Sequence, residues 1–160
     1  MSMNLTDNFN RLGRYWEAFF EDHKKDTTPK IEDVWYGDQN LLPHTPAICV
    51  ETGNLARQFA GVPYRVENNF EVYIMVYHGE ITDKQINRDI CEKLAVQIQD
   101  LMHSDIRCDN PLYDPAVSTA AGLVIYGMVS AIEPGYTVRQ RSLMYTTRIT
   151  WFGMSKTSIT

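Results

Sequence analysis

The feature that most constrains the fold is the stretch RSLMYTTRITW, residues 141–151, near the end of the chain. Taken alternately, its residues form two sets, one with Leu143, Tyr145 and Ile149 and the other with Met144 and Arg148. Such alternation, rich in β-branched and aromatic residues, is typical of a half-buried strand. The preceding GLVIYGMVSAI also has strand composition, and the intervening EPGYT has turn composition. The sequence therefore predicts a long terminal β-hairpin, with residues 123–132 paired to residues 138–151.

Earlier segments predict the rest of a sheet. AICVE, residues 47–51, is short and apolar, and Thr52, Gly53 and Asn54 after it have turn chemistry. NFEVYIMVYH, residues 69–78, is largely apolar on both faces, which places it at the centre of the sheet. DVWY, residues 33–36, is expected to be a short extended piece in an otherwise irregular loop.

Apolar spacing predicts two helices. In residues 1–25, apolar side chains recur every three or four positions from Leu5 through Phe9, Leu12 and Trp16 to Phe19, and His23, Lys24 and Lys25 fall in the last turn. The clearer helix begins at its N-cap Asp83 and ends at His103. Its expected buried stripe is Ile86, Ile90, Leu94, Ile98 and Leu101. The order of elements predicts an α+β fold, a mixed, mainly antiparallel sheet backed by helices.

Length and charge limit the classes of protein. A chain of 160 residues that is 44% hydrophobic has the size and composition of one domain, here residues 1–160 with a polar tail at residues 153–160. A net charge of −5 makes non-specific binding to nucleic acid unexpected. Three cysteines without a Cys-x-x-Cys pair favour a reduced intracellular compartment. No signal segment is recognisable and no apolar run reaches the roughly 18 residues that span a bilayer, so neither export nor membrane insertion is expected.

The residues that could carry chemistry are scattered. His103, Asp105 and Cys108 are close in sequence, but no second cluster accompanies them, so a structural role is favoured over a metal site. Cys49 and Cys91 lie within apolar patterns, as buried inert thiols do. No nucleophile elbow or phosphate-binding loop is present. We therefore predict that the chain is not an enzyme and needs no metal or cofactor.

One alternative from the enzyme class remains open. Carboxylates in and beside the predicted strands could converge at a sheet edge, as the site of a metal-dependent nuclease requires. They are Glu51, Glu67, Glu71 and Glu80. No lysine follows at the spacing that such sites use, so this interpretation ranks behind a binding role.

Aromatic residues and arginines mark candidate contact surfaces, because both are enriched at protein interfaces. Trp35 and Tyr36 lie in the early loop, and Trp35 is expected to be partly exposed. Arg139, Arg141 and Arg148 lie along the hairpin, on two different faces, so at least one face is expected to point outward. These five residues are the candidate subunit or partner interface.

Three stretches, in this order and spacing, carry a resemblance to a known family. They are VWYGDQNLLPHTPAICVETGN, NFEVYIMVYHGEITDKQINRDICEKLAVQIQDLMH and GLVIYGMVSAIEPGYTVRQRSLMYTTRITWFGMSK. Together they resemble the tail terminator, or tail completion, proteins of long-tailed bacteriophages. The helix before Val34 has no counterpart in this resemblance.

The resemblance implies a structural virion protein, assembled in the host cytoplasm and placed at the tail–neck junction. Such proteins form a ring, commonly of six subunits, on the head-proximal end of the tail tube. The ring stops tube polymerisation and joins neck or head-completion proteins, and DNA passes through its lumen without specific binding. A neck or head-completion connector is the nearest alternative, and a host-encoded adaptor without a ring is another. In this interpretation the terminal hairpin makes contacts between subunits.

Overall fold

The structure, a computed structural model, describes residues 5–39, 41–59, 61, 65–79, 84–105, 108, 126–139 and 142–158. Five strands form one sheet in the order β1-β2-β3-β5-β4. Only β1 and β2 are parallel, and every other neighbouring pair is antiparallel. The predicted α+β class, with a mixed and mainly antiparallel sheet, is confirmed. The elements are α1 (Leu5–Asp22), a 3₁₀ turn (Lys24–Asp26), β1 (Asp33–Tyr36), β2 (Ala47–Phe59), β3 (Arg65–His78), α2 (Lys84–His103), β4 (Tyr126–Arg139) and β5 (Ser142–Ser158).

The central strand is β3, as predicted, with β2 on one side and β5 on the other. Alternate residues of β3 such as Val72 and Ile74 face both helices, and Trp151 and Ile149 stand opposite them on β5. These side chains are fully buried. The core therefore lies between the helices and one face of the sheet. Neither α1 nor α2 lies over the other face, here called the bare face.

Helix α1 adds a mainly aromatic layer to this core. The predicted stripe is confirmed at Leu12, Trp16 and Phe19, which are buried, whereas the side chains of Leu5 and Phe9 lie outside the described part. The indole of Trp16 meets that of Trp151 edge to face, with ring centroids 5.4 Å apart. The prediction that His23, Lys24 and Lys25 lie in the last turn of α1 is wrong. The helix ends at Asp22, and His23 precedes the 3₁₀ turn that contains Lys24 and Lys25.

Helix α2 occurs where it was predicted, although Asp83, the expected N-cap, lies outside the described residues. Its predicted buried stripe is only partly right. Leu94 and Ile98 are fully buried, but Ile86 is 42% exposed. Cys91 comes close enough to β5 for its thiol to donate to the Tyr145 carbonyl, at 3.5 Å. The small side chain of Cys91 permits this close approach. The buried face of α2 is therefore rotated so that it includes Cys91, Ala95 and Met102.

Strand β2 is longer than predicted, because Thr52, Gly53 and Asn54 do not form a turn. The strand continues to Phe59, and the pairing with β3 shifts between Thr52 and Leu55, which marks a β-bulge. A Cβ on Gly53 would lie 2.6 Å from the Tyr73 ring. Glycine is needed there to let that ring lie against the strand, so the turn-like composition belongs to a bulge.

The terminal hairpin is confirmed, but its turn was placed too early. EPGYT belongs to β4, which continues to Arg139, and Arg139 pairs with Ser142. Pro134 is tolerated there because β4 is an edge strand. Residues 123–125 lie outside the described part. The predicted polar tail is also wrong for residues 153–158, because β5 continues to Ser158 and pairs with β3.

Candidate functional site at the edges of the sheet

Within the described residues, a small apolar cluster covers one end of the bare face. Leu42, from the segment after β1, packs there against Cys49, Tyr77 and Met144. The Tyr77 hydroxyl donates to Asp38 Oδ1 at 2.8 Å, which ties that segment to β3. Elsewhere the bare face carries both polar groups that bond to one another and apolar side chains such as Tyr126 and Met128.

Arg148 occupies the middle of this polar region. Its Nε donates to Glu133 Oε2 at 3.0 Å, Nη2 contacts the same oxygen, and the guanidinium lies 4.9 Å from the centroid of the Tyr73 ring. The Tyr73 hydroxyl donates to Glu71 Oε2 at 3.1 Å. Burial, followed by this bond to Glu71, raises the pKa of Tyr73. Arg148 does face outward from the core, but its charge is already paired within the chain.

The carboxylates of the nuclease alternative do share one face. Glu51, Glu67 and Glu71 alternate with core residues, so all three lie on the bare face. Each accepts a different local bond: Glu51 from the Asp38 amide at 2.8 Å, Glu67 from Gln58 at 3.1 Å and Glu71 from Tyr73. Within the described residues, no three His, Cys, Asp or Glu side chains come close enough to hold a metal ion. Glu80 lies outside that part.

His103, Asp105 and Cys108 each have a structural partner or place. His103 Nε2 accepts the Val129 amide at 3.1 Å, beside the bulge in β4. The carboxylate of Asp105 accepts the hydroxyl of buried Tyr15. Cys108 is fully buried. Through the contacts of His103 and Asp105, the end of α2 is tied to β4 and α1.

The remaining thiols lie inside the core, as predicted. Cys49 and Cys91 are fully buried and form no disulfide. Burial raises the pKa of the Cys91 thiol to about 12, with a smaller effect from Glu92. Because the thiolate is the reactive form, Cys91 is chemically quiet at neutral pH.

The predicted contact residues divide between surface and interior. Trp35 is 37% exposed, as expected, and lies on the bare face of β1 opposite Cys49. Tyr36 is half-buried on the helix side, where the Arg14 guanidinium lies 4.0 Å from its ring centroid. A Cβ on Gly13 would lie 2.5 Å from the Tyr36 ring, so α1 and β1 pack closely here. Arg139 ends β4 with its side chain outside the described part, and Arg141 lies outside it entirely.

The exposed apolar side chains of the hairpin were not predicted as a group. Six of them are more than one-third exposed: Tyr126, Met128, Ile132, Tyr136, Val138 and Leu143. The composition of GLVIYGMVSAI predicted a strand, but it did not indicate which of these side chains face away from the core. It could not indicate that β4 is an edge strand, which leaves side chains of both sets exposed.

Among the residues that the structure describes, both edges of the sheet are open over part of their length. On one side, β1 pairs with β2 only at Ala47–Val50, and no other described strand pairs with this side of β2 at residues 51–58. On the other side, β4 has no described strand beyond it. Part of that edge is closed, because His103 takes the Val129 amide and Pro134 has no N–H. The first residues of β4 and the outer half of β2 are the parts that can accept another strand.

Neither α1 nor α2, the two α-helices in the described part of the chain, combines the length and apolarity that crossing a bilayer requires.

Comparison with known proteins does not identify the chain. No protein-family model matches it, and no curated protein matches it. A solved structure with a name that describes no function aligns with 90% of this chain and 94% of its own, at 13% identity and a TM-score of 0.45. A likeness at that identity and score carries no argument about function.

Proposed function

We propose that the chain is a structural assembly protein of a long-tailed bacteriophage, a tail terminator that forms a ring on the head-proximal end of the tail tube. One observation carries the proposal: six large apolar side chains are exposed on the hairpin formed by the edge strand β4 and its neighbour β5. Apolar groups concentrated at an open sheet edge are typical of contact surfaces. The three stretches that resemble tail terminators supply the kind of assembly.

The two faces of the sheet suit a ring. Both helices lie on one face, so copies joined edge to edge would present all helices on one side of the wall and all bare faces on the other. The bare face carries Glu51, Glu67, Glu71 and Glu133, with Arg148 bound to Glu133. An excess of carboxylates repels phosphates, so a lumen lined by this face would let DNA pass without holding it.

The experiment is to interrupt the reading frame in the phage that encodes the chain and to measure tail length by electron microscopy. We expect tubes of irregular, increased length that do not join heads, with normal particles restored when the wild-type chain is supplied. Tails of normal length that still fail to join heads would instead assign the chain to a neck connector and refute the terminator role.

A second assay tests the nuclease alternative. The purified chain is incubated with duplex DNA and increasing Mg²⁺ or Mn²⁺, with Glu71→Gln as the matched variant. Intact DNA at every metal concentration is expected. Metal-dependent cleavage that is lost in Glu71→Gln would contradict the proposed function, because the bare face would then be a reaction site.

A further inference from the structure

We infer that the two open edges of the sheet are complementary halves of one contact, in which a second copy of this chain docks head to tail. The β4 edge of one copy meets the β1–β2 edge of the next. This inference deepens the proposed function by naming the two surfaces that join neighbouring subunits, but it is argued from the sheet alone.

Strand direction is the first argument. β2 is antiparallel to β3, β3 to β5, and β5 to β4, so β4 runs antiparallel to β2. A copy rotated about an axis parallel to the strands therefore brings its β2 beside β4 in the antiparallel sense. The contact joins two different edges, so each joined pair keeps one unused edge of each kind for the next copy, and the contact repeats along the series. Such a heterologous contact closes into a ring when the rotation permits.

The level of the strands is the second argument. Tyr126 pairs with Met154, Met154 with Asn69, and Asn69 with Ala56, so one row crosses the sheet from β4 to the open half of β2. If the next copy is not shifted along the strand direction, the open first residues of its neighbour's β4 lie beside the open half of its β2. A second row runs from Pro134 through Thr147, Val76 and Ile48 to Val34. Pro134, which cannot donate a hydrogen bond, is thus level with β1, where the edge of β2 is already occupied.

Side-chain size is the third argument. Tyr126 is 44% exposed and Met128 is 49% exposed, and both lie on the bare face of β4. Ala56, at the same level on the other edge, is small and exposed. In the docked pair the Tyr126 ring covers Ala56 of the next copy, a large-on-small contact across neighbouring strands. Because His103 holds the Val129 amide, the new backbone pairing is short, and side chains carry much of the contact.

The test is to mix two variants, each with one blocked edge. Tyr126→Glu with Met128→Glu blocks the β4 edge, and Ala56→Glu with Trp35→Glu blocks the β1–β2 edge. Each variant is expected to stay monomeric in analytical ultracentrifugation, with a dissociation constant at least tenfold above that of the wild-type chain. Their equimolar mixture is expected to form a one-to-one dimer and nothing larger, because each supplies the intact edge that the other lacks. Val96→Glu, on the exposed side of α2, is the control and should associate like the wild type.

A mixture that stays monomeric would overturn the inference, as would a wild-type chain that remains monomeric at every concentration tested. Normal association of the β1–β2 variant alone would also overturn it, because the contact would then join two β4 edges. Dimer formation in the mixture itself shows that both variants are folded. Association through these edges with no effect on tail length would refute the proposed function and leave this inference standing.

Disulfide trapping tests the register. Residues opposite each other on neighbouring antiparallel strands have Cα atoms about 4.5–5.5 Å apart, within the range of Cα separations that a disulfide spans. Ala56→Cys and Tyr126→Cys in one chain should give a ladder of linked multimers on oxidation, whereas either change alone should give none. The native cysteines are buried and do not compete. Dimers from either single variant would contradict the predicted register.

Discussion

The indole of Trp151 rests on two glycines, and adding a methyl group to either should destabilise the protein. Gly127 and Gly153 pair across β4 and β5. A Cβ at either position would lie 2.3 Å from an atom of the Trp151 ring, well inside the roughly 3.5 Å at which carbon atoms pack. Trp151 is fully buried and contacts Trp16, so the ring has no space to move into.

The magnitude follows from two opposing effects. Overpacking of this kind costs about 1–3 kcal/mol. Replacing glycine by alanine also restricts the unfolded chain, which returns about 0.4–1 kcal/mol. Gly127→Ala should therefore lower the free energy of unfolding by about 1 kcal/mol, within the roughly 0–2.6 kcal/mol that the difference of the two ranges allows. Gly135, on the same strand, is the matched control, because among the described residues its added Cβ would meet only Thr146 Cγ2, at 3.9 Å.

Urea denaturation followed by tryptophan fluorescence measures both variants, provided that the slope with denaturant stays unchanged. A second comparison places Gly127→Ala in a Trp151→Leu background, where the steric cost should disappear because the two positions are in contact. Equal unfolding free energies for Gly127→Ala and Gly135→Ala would refute the reasoning, because β4 would then not cross the Trp151 ring at Gly127.

The other predictions concern α2 and the thiols. Leu94→Ala should lower the free energy of unfolding by about 2–5 kcal/mol, because Leu94 is fully buried, whereas Val96→Ala should change it by less than about 0.5 kcal/mol. Similar losses for the two variants would mean that α2 does not bury the face described above. In the native state none of the three cysteines should react with a disulfide reagent at pH 8, and all three should react in denaturant; rapid labelling of the folded chain would contradict their burial. The pKa of Cys91 is about 12 in the folded chain and 9.0 in the unfolded chain. Between these values only the unfolded thiol loses its proton, so stability should fall as the pH rises, by at most about 1.4 kcal/mol per pH unit. Cys91→Ala should flatten that slope, and an unchanged slope would show that other groups cause it.

Much of the fold could be predicted because periodicity reports which side of an element is buried. Alternation in β3 and β5 and the three-to-four spacing of α1 gave the strands, their faces and the central position of β3 correctly. The errors arose where local composition and tertiary pairing disagree. The Thr52–Asn54 segment has turn composition but pairs as a bulge, because Gly53 lies against Tyr73. EPGYT is turn-like but stays in β4, because an edge strand tolerates Pro134.

The candidate site was less predictable, for a physical reason. Trp35 was correctly expected to be exposed, and Arg148 does lie on the outward face, but its pairing with Glu133 depends on the register of β4 and β5. Which strands form the edges depends on strand order, and the sequence pattern indicated only the central place of β3 in that order. Tyr126 and Ala56 are 70 positions apart in the chain, so no local pattern connects them.

In the proposed function, this protein caps one end of a tail tube. The most direct measurement is electron microscopy of purified tail tubes incubated with the chain carrying a gold label at its N-terminus, with the blocked-edge variant Tyr126→Glu/Met128→Glu as the comparison. We predict label at one end of each tube, the end that joins the head, and its loss with the variant. Label along the length of the tubes, at both ends alike, or at none would contradict the account.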